Sequence, residues 1–207
     1  MAVSTSLPAS RGRPERRFDA RRAELVACAL LTLDELGYAR TSLREIAHNS
    51  EYSHGVLHYY FSDKAELLTD CMQSYRAFIE GHFEELINAS GHTAREYCSR
   101  VAELLGKSLV NDAPMHRLWD DLRAQSMFER SLQDFVADVG AERQRAIGAV
   151  VARYAELAGL EPVSDELAAA AFDGMFSRHV LAHRHGEPHI EGDLIDAAKS
   201  LLPLLGR

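Results

Sequence analysis

Residues 41–64, TSLREIAHNSEYSHGVLHYYFSDK, narrow the folds open to this chain more than any other stretch. The apolar residues form two short helical stripes, Leu43, Ile46 and Ala47, then Leu57, Tyr60 and Phe61, each at i, i+3, i+4 spacing. Asn49, Ser50, Glu51 and Tyr52 break the pattern and suit a tight turn. Thr41 or Ser42 can cap the first helix, with Glu45 completing a capping box, and Ser53 can cap the second. Helices this short cannot bury both stripes against each other, so a third element has to cover them. A helix over about residues 19–36 supplies it, with Leu25, Ala29, Leu33 and Leu36 on one face and Gly37 as its C-terminal cap.

The outward side of the second short helix carries His54, Gly55, Val56, His58 and Tyr59, a surface with donors, acceptors, a methyl-bearing residue and no acid. Such a face fits a DNA major groove, where the N-terminal half of a recognition helix meets base edges. Periodicity alone equally describes an ordinary helical hairpin with a polar outer face. The residues Gly37, Thr41, Ser42, Leu43, Ile46, Ala47, Ser53, Gly55, Leu57, Tyr60, Phe61 and Lys64, in that order and spacing, resemble the DNA-binding domain of the tetracycline-repressor (TetR) family of regulators. The resemblance implies an all-α protein in which a three-helix helix-turn-helix domain precedes a helical ligand-binding and dimerisation domain. It also implies DNA contacts from Thr41, Ser42, Arg44, Ser53, His54, Gly55, Val56, His58, Tyr59, Tyr60 and Lys64. Three positions depart from the family pattern. Glu51 replaces the usual turn glycine, so either the turn takes another shape or packing absorbs about 1–2 kcal/mol of left-handed strain. Tyr52 stands where valine is usual, and His58 where tyrosine is frequent.

Charge is divided unevenly. The chain has 207 residues and a net charge of −8, yet residues 1–22 carry six arginines against Glu15 and Asp19. Residues 65–207 carry 14 basic and 23 acidic residues. One end suits phosphate and the other repels it. Residues 1–18 read as a flexible basic arm, followed by a DNA-binding domain over 19–65 and a larger domain over 66–207. In the arm Arg11-Gly12-Arg13-Pro14 resembles the core of an AT-hook, which implies minor-groove contacts from Arg11 and Arg13; the alternative is a generic basic tail.

Beyond Lys64 the chain reads as helix after helix: about 64–89, 93–111, 114–130, 132–158, 165–184 and 191–205, about nine helices in all, with glycine- or proline-bearing breaks between most of them. Cys28, Cys71 and Cys98 have no metal spacing and read as reduced thiols. No signal peptide or membrane span is evident, which suggests a cytoplasmic protein.

Met72, Tyr75, Phe78, Met115, Trp119, Met127, Phe128, Phe135, Phe172, Met175 and Phe176 either fill a solid core or line a cavity. The resemblance implies the cavity, and Met and aromatic richness suggests a mostly apolar effector, with His116, Arg123, Gln125 or His179 available to fix one polar group. It further implies a homodimer formed by the last two long helices, with Phe172, Phe176, His179, Leu194, Ile195, Ala198, Leu201 and Leu202 as the expected interface; intramolecular packing is the alternative. His179 and His183 are spaced i, i+4, but without a further strong ligand no metal site is expected, and no cofactor fingerprint is present. The expected partners are therefore a palindromic operator in double-stranded DNA, a small-molecule effector and a second copy of the chain. The other function class left open is an all-helical enzyme acting on a small apolar substrate, although no catalytic constellation is evident.

Overall fold

The computed structural model describes residues 13–207, with side chains from residue 16 onward. Among the described residues nine α-helices follow in order: α1 (Arg13–Leu36), α2 (Leu43–His48), α3 (His54–Tyr60), α4 (Lys64–Ile87), α5 (Ala94–Asn111), α6 (Ala113–Ser126), α7 (Arg130–Ala158), α8 (Asp165–Arg184) and α9 (Ile190–Leu204). No β-strand occurs among them; a single bridge between Pro162 and Gly206 ties the C-terminal end to the α7–α8 loop. No described helix is long and apolar enough to cross a membrane.

The N-terminal unit closes as the stripes require. Leu25, Ala29 and Leu33 of α1 share one buried core with Leu43 and Ile46 of α2 and with Leu57 and Phe61 at α3. Gly37 ends α1 in the left-handed conformation at φ 77°, and its N–H donates to the Leu33 carbonyl at 2.8 Å. One boundary differs from expectation. Helix α1 begins at Arg13, so Arg13 belongs to a helix and not to an extended arm, while Arg11 and Gly12 lie outside the described residues. Proline is tolerated in a first helical turn, where its missing N–H costs nothing. Phe18, read as part of the arm, rests on Tyr60 with ring centroids 4.6 Å apart and on Tyr59 at 6.3 Å, giving the first turns of α1 a tertiary anchor.

A polar clamp completes this unit. Arg22 donates from Nε to Asp70 at 2.5 Å, from Nη2 to Glu66 at 2.9 Å and from Nη1 to the Tyr60 carbonyl at 2.9 Å, with its guanidinium 4.4 Å from the Phe61 ring centroid. One side chain thus joins α1, α3 and α4. The Ser62 backbone N–H and then Arg22 hold the Glu66 carboxyl below its usual range.

Helix α4 runs unbroken from the N-terminal unit into the body, burying Leu67, Leu68, Cys71, Tyr75, Ile79, Phe83 and Leu86. In the body α5 lies along α9, and α7 along α8. Gly106 permits the first approach: a Cβ there would stand 2.7 Å from the Ile195 side chain. Cys71 and Cys98 are buried and Cys28 half-buried, all three free.

The expected dimer residues need correction. Leu194, Ala198 and Leu202 are buried within this chain, as are Phe172 and His179, while Ile195 is spent on the α5 contact. Phe176 and Leu201 are half-buried and pack against the chain's own core. Periodicity shows that a stripe is covered, not which chain covers it. The apolar side chains left exposed on α8 and α9 are Leu167, Leu181 and Leu204.

Replacing Arg22 with methionine removes the clamp and leaves Asp70 and Glu66 facing each other. The expected cost is about 1–3 kcal/mol, the range for losing hydrogen bonds to charged groups. It should appear as a lower midpoint in denaturant unfolding and as faster amide exchange in α1 and α3 than in α5.

Candidate nucleic-acid interface and internal cavity

Serine caps set both short helices. The Ser42 hydroxyl accepts the Glu45 N–H at 3.2 Å and Ser53 accepts the Val56 N–H at 3.3 Å, each from an extended backbone. Thr41 is not part of the outer face: it is buried and donates to the Gly37 carbonyl at 2.8 Å. The turn between the helices takes a shape that needs no left-handed residue at Glu51, since His189 is the one non-glycine residue with positive φ among those described. Tyr52 turns back across α1, its hydroxyl donating to Glu24 at 2.9 Å and accepting from Arg21 at 2.8 Å. A tyrosine therefore fits the position usually held by valine.

Arg44, Ser53, His54, Gly55, His58 and Tyr59 stand exposed on the outer side, with Val56 and Tyr60 half-buried beside them. Tyr59 is 73% exposed despite its edge contacts with Phe18 and Tyr60, unusual for a large aromatic side chain. Arg21, Tyr52, Ser53, Gly55, Val56, Tyr59 and Tyr60 line a shallow concavity that includes no carboxylate. The His54 and His58 rings meet edge to face at 4.4 Å. Arg21 was not singled out in the sequence because it lies a whole helix upstream; its signal was membership of the basic run ahead of the motif.

Lys64 departs from expectation. Its ammonium does not stand free at the start of α4 but donates to the Tyr38 carbonyl at 2.7 Å, lying 4.3 Å from that residue's ring centroid. Burial pushes the Lys64 pKa down. The N–H of the same Tyr38 donates to Asp121 of α6 at 2.5 Å. Next to it Arg117 of α6 grips Asp34 of α1 with two hydrogen bonds, from Nε and, at 2.6 Å, from its second nitrogen. The loop after α1 is thus held by α4 on one side and α6 on the other.

Those two helices also wall a cavity. It holds about 40 Å³ of open space among Phe78, Ile79, His82, Phe83 and Leu86 of α4, Val101 and Leu105 of α5, His116 of α6, Arg143, Ile147 and Val150 of α7, and Phe172, Asp173 and Phe176 of α8. Of the expected lining residues, Phe78, Phe172 and Phe176 are in place, and His116 is the polar candidate that reaches it. Tyr75 and Trp119 stack behind the wall with centroids 5.6 Å apart and planes 4° apart, so they are core. Met72, Met115, Met175 and Phe135 pack against the core without lining the cavity. Met127 and Phe128 are 71% and 83% exposed, because α6 stops at Ser126 and not near residue 130. The Gln125 carbonyl takes the N–H groups of Phe128 and Glu129 and turns the chain outward. Gln125 is near Asp121, Arg123 is exposed, and His179 bonds the Met175 carbonyl, so none of the three lines the cavity. Among the described residues no group of three or more His, Cys, Asp or Glu is placed to hold a metal ion.

His82, Arg143 and Asp173 were missed as lining residues. Arg143 lies in the sequence AERQRA, where it reads as a surface arginine. Its side chain is only 11% exposed instead, paired with Asp173 at 2.8 Å and set over Trp119 and Phe83 at 5.2 and 5.5 Å. Ser108 donates to Asp112 at 3.0 Å and so accepts from His116 Nε2 at 2.8 Å. Burial pushes the His82 pKa down to about 4 and that of His116 to about 3. Unfolding restores both toward their ordinary value, so the unfolded chain binds more protons below about pH 6.5. Stability contributed by these residues is complete above that pH and falls toward pH 4, by up to about 1.4 kcal/mol per pH unit for each histidine. In denaturant titrations across this range His82→Phe should show a shallower pH slope than the unaltered chain; an identical slope would assign the dependence elsewhere.

Comparisons with known proteins agree with this geometry. Residues 26–71, from α1 into α4, match the family model described as bacterial regulatory proteins, tetR family. The HTH-type transcriptional regulator BetI of Paraburkholderia xenovorans is 42% identical over 53 residues, 26% of this chain and 27% of that protein. BetI of Paraburkholderia phymatum is 29% identical over 116 residues, 56% of this chain and 59% of the relative. The chain therefore spans about a quarter and three-fifths of the length of these two relatives. BetI of Burkholderia mallei is 27% identical over 168 residues, 81% of this chain and 84% of the relative. Among solved structures, a TetR transcription regulator of Haloarcula marismortui superposes with a TM-score of 0.68 at 14% identity, covering 91% of this chain and all of that one. A transcriptional regulator of a Rhodococcus species gives 0.64 at 16% identity, covering 89% and 97%. At such identities the structures share the fold.

Proposed function

We propose that this chain, a TetR-like transcriptional regulator, is a ligand-responsive repressor that binds a palindromic operator as a homodimer and is released by a small, mostly apolar effector. The observation that carries the reading is the shared wall. Helices α4 and α6 both border the cavity, and both hold the loop after α1 through Lys64 and Asp121 on the two sides of Tyr38. An occupant that parts these helices pulls on the unit bearing α3. Coupling of this kind transmits only as much free energy as the occupant gains by preferring one arrangement.

In this reading Arg44, Ser53, His54, Gly55, Val56, His58 and Tyr59 meet the DNA, joined by Arg21 at the edge of the concavity. Ser42 positions α2 and stands next to the same surface. The dimer face is the exposed side of α8, where Leu167, Ala170, Gly174, Arg178 and Leu181 follow helical spacing, continued by Leu204 of α9. Two copies related by a two-fold axis place their recognition helices on half-sites about one DNA turn, roughly 34–36 Å, apart or a multiple of it.

The test is selection of bound fragments from the source genome with purified full-length protein at moderate salt. Recovery of a shared inverted repeat supports the reading, whereas recovery of unrelated fragments, or of none, overturns it. Tyr59→Ala should weaken binding to the repeat by about 1–3 kcal/mol, the usual size of a base-reading contact, without lowering thermal stability. Leu181→Glu should convert dimer to monomer in sedimentation and abolish tight operator binding.

A further inference from the structure

We infer that the cavity takes an uncharged, largely apolar molecule carrying an acceptor oxygen of the ketone, ester or amide kind, which receives a hydrogen bond from Arg143. The inference rests on the effector-cavity reading above and names the chemistry that cavity selects.

The walls fix the apolar part. Phe78, Phe83, Phe172 and Phe176 present rings to the space, and aliphatic side chains from α5 and α7 fill the rest. The polar inventory is short and lopsided. A guanidinium has five N–H donors. Arg143 uses one toward Asp173 at 2.8 Å and aims another at the Tyr75 hydroxyl at 3.4 Å, while its Nε is buried with no acceptor. Directly behind it, the Trp119 Nε1 is a second buried donor with no acceptor. Two further unpartnered atoms on α4 and α7, Arg76 Nε and Glu142 Oε2, face one another at 3.3 Å and lie outside the cavity lining. What this region lacks is therefore an acceptor. Buried donors carry a penalty until one arrives, and an oxygen at Arg143 Nε removes it.

Charge decides which oxygen. Arg143 and Asp173 are the charged groups lining the cavity, and they neutralise each other. The two lining histidines, His82 and His116, are neutral at physiological pH because burial depresses both. A carboxylate at Arg143 Nε would set a second anion beside Asp173 with one guanidinium to balance both, leaving a net negative charge in a site of low dielectric. An ammonium would meet Arg143 with the same sign. A carbonyl oxygen accepts from Nε and leaves the ion pair intact, with a far smaller desolvation cost than either ion.

The chain contains one tryptophan, and Trp119 lies 5.2 Å from the Arg143 guanidinium, so its fluorescence reports occupancy directly. Purified full-length protein is titrated with methyl octyl ketone, decanoate and decylammonium, which share a chain length and differ in charge. The expected result is saturable binding of the ketone at least about tenfold tighter than either ion, equivalent to about 1.4 kcal/mol. Arg143→Lys, which keeps the charge opposite Asp173 but loses the guanidinium Nε, should weaken the ketone by about tenfold and leave the two ions less affected. The probe series on the unaltered chain stands without that variant, should the variant fail to fold. Equal or tighter binding of decanoate or decylammonium overturns the inference, and so does the absence of saturable ketone binding. Release of the selected DNA fragments is scored in the same titrations. Ketone binding without release sinks the repressor reading and leaves the ligand chemistry standing; release by decanoate alone does the reverse.

Discussion

The backbone of Tyr38 is where the two halves of this protein are fastened. Its N–H is taken by Asp121 from α6 and its carbonyl by Lys64 from the first residue of α4. Next to it the doubly bonded Arg117–Asp34 pair fixes the end of α1 to α6. These are charge-assisted bonds in partly buried surroundings, so they hold geometry more firmly than exposed ion pairs would. Helix α3 touches the body very little itself. Its orientation is inherited through α1, which the Arg22 clamp locks to α3 and α4. The N-terminal unit is therefore tied to both α4 and α6, the two helices that reach the cavity.

The body spends buried charge where a simple helical core would not. Arg143, Asp173 and Asp120 are all drawn into the region between α6, α7 and α8, with Asp120 accepting from Ser177 at 2.8 Å and its pKa raised by burial. A hydrophobic replacement of such a pair is often neutral or stabilising, so stability alone is a weak reason to keep it. A place where a buried guanidinium still has a donor to give is better understood as a site shaped for something else, with the aromatic stack of Tyr75 and Trp119 holding the guanidinium in position from behind.

Much of this was legible in the sequence, and the parts that were not share a cause. Local chemistry gave the helices: Ser42, Ser53, Asp63, Thr93 and Ser164 each cap the helix that follows, and Gly37 and Gly159 end the ones before. The three-helix unit followed from two stripes too short to cover each other. Tertiary identity was harder. Thr41 and Lys64 were expected at the interface because the family resemblance implies it, yet each is committed to a backbone carbonyl of the α1–α2 loop. Leu194, Ala198 and Leu202 looked like a dimer stripe and are this chain's own core. Met127 and Phe128 looked internal until a turn at Gln125 cut α6 short. Arg143 carried no signal, since a lone arginine in a polar run differs from a solvated one only by what folds over it.

The small size of the cavity bears on how an occupant could act. About 40 Å³ is too little for a molecule with a substantial apolar body, so in the proposed reading an occupant has to separate the walls. Separating close-packed walls forfeits dispersion contacts, and burial of the occupant's apolar surface at about 25 cal/mol per Å² has to offset that loss. An occupant too small to part the walls would bind without shifting the helices that hold Tyr38. In the proposed reading, one that parts them strains the Lys64 and Asp121 bonds from opposite sides, because α4 and α6 grip the carbonyl and the N–H of the same residue, Tyr38. In the proposed reading the size of the ligand governs how far the N-terminal unit turns, while Arg143 governs which ligand is admitted. Affinity and effect are then separable properties of one site.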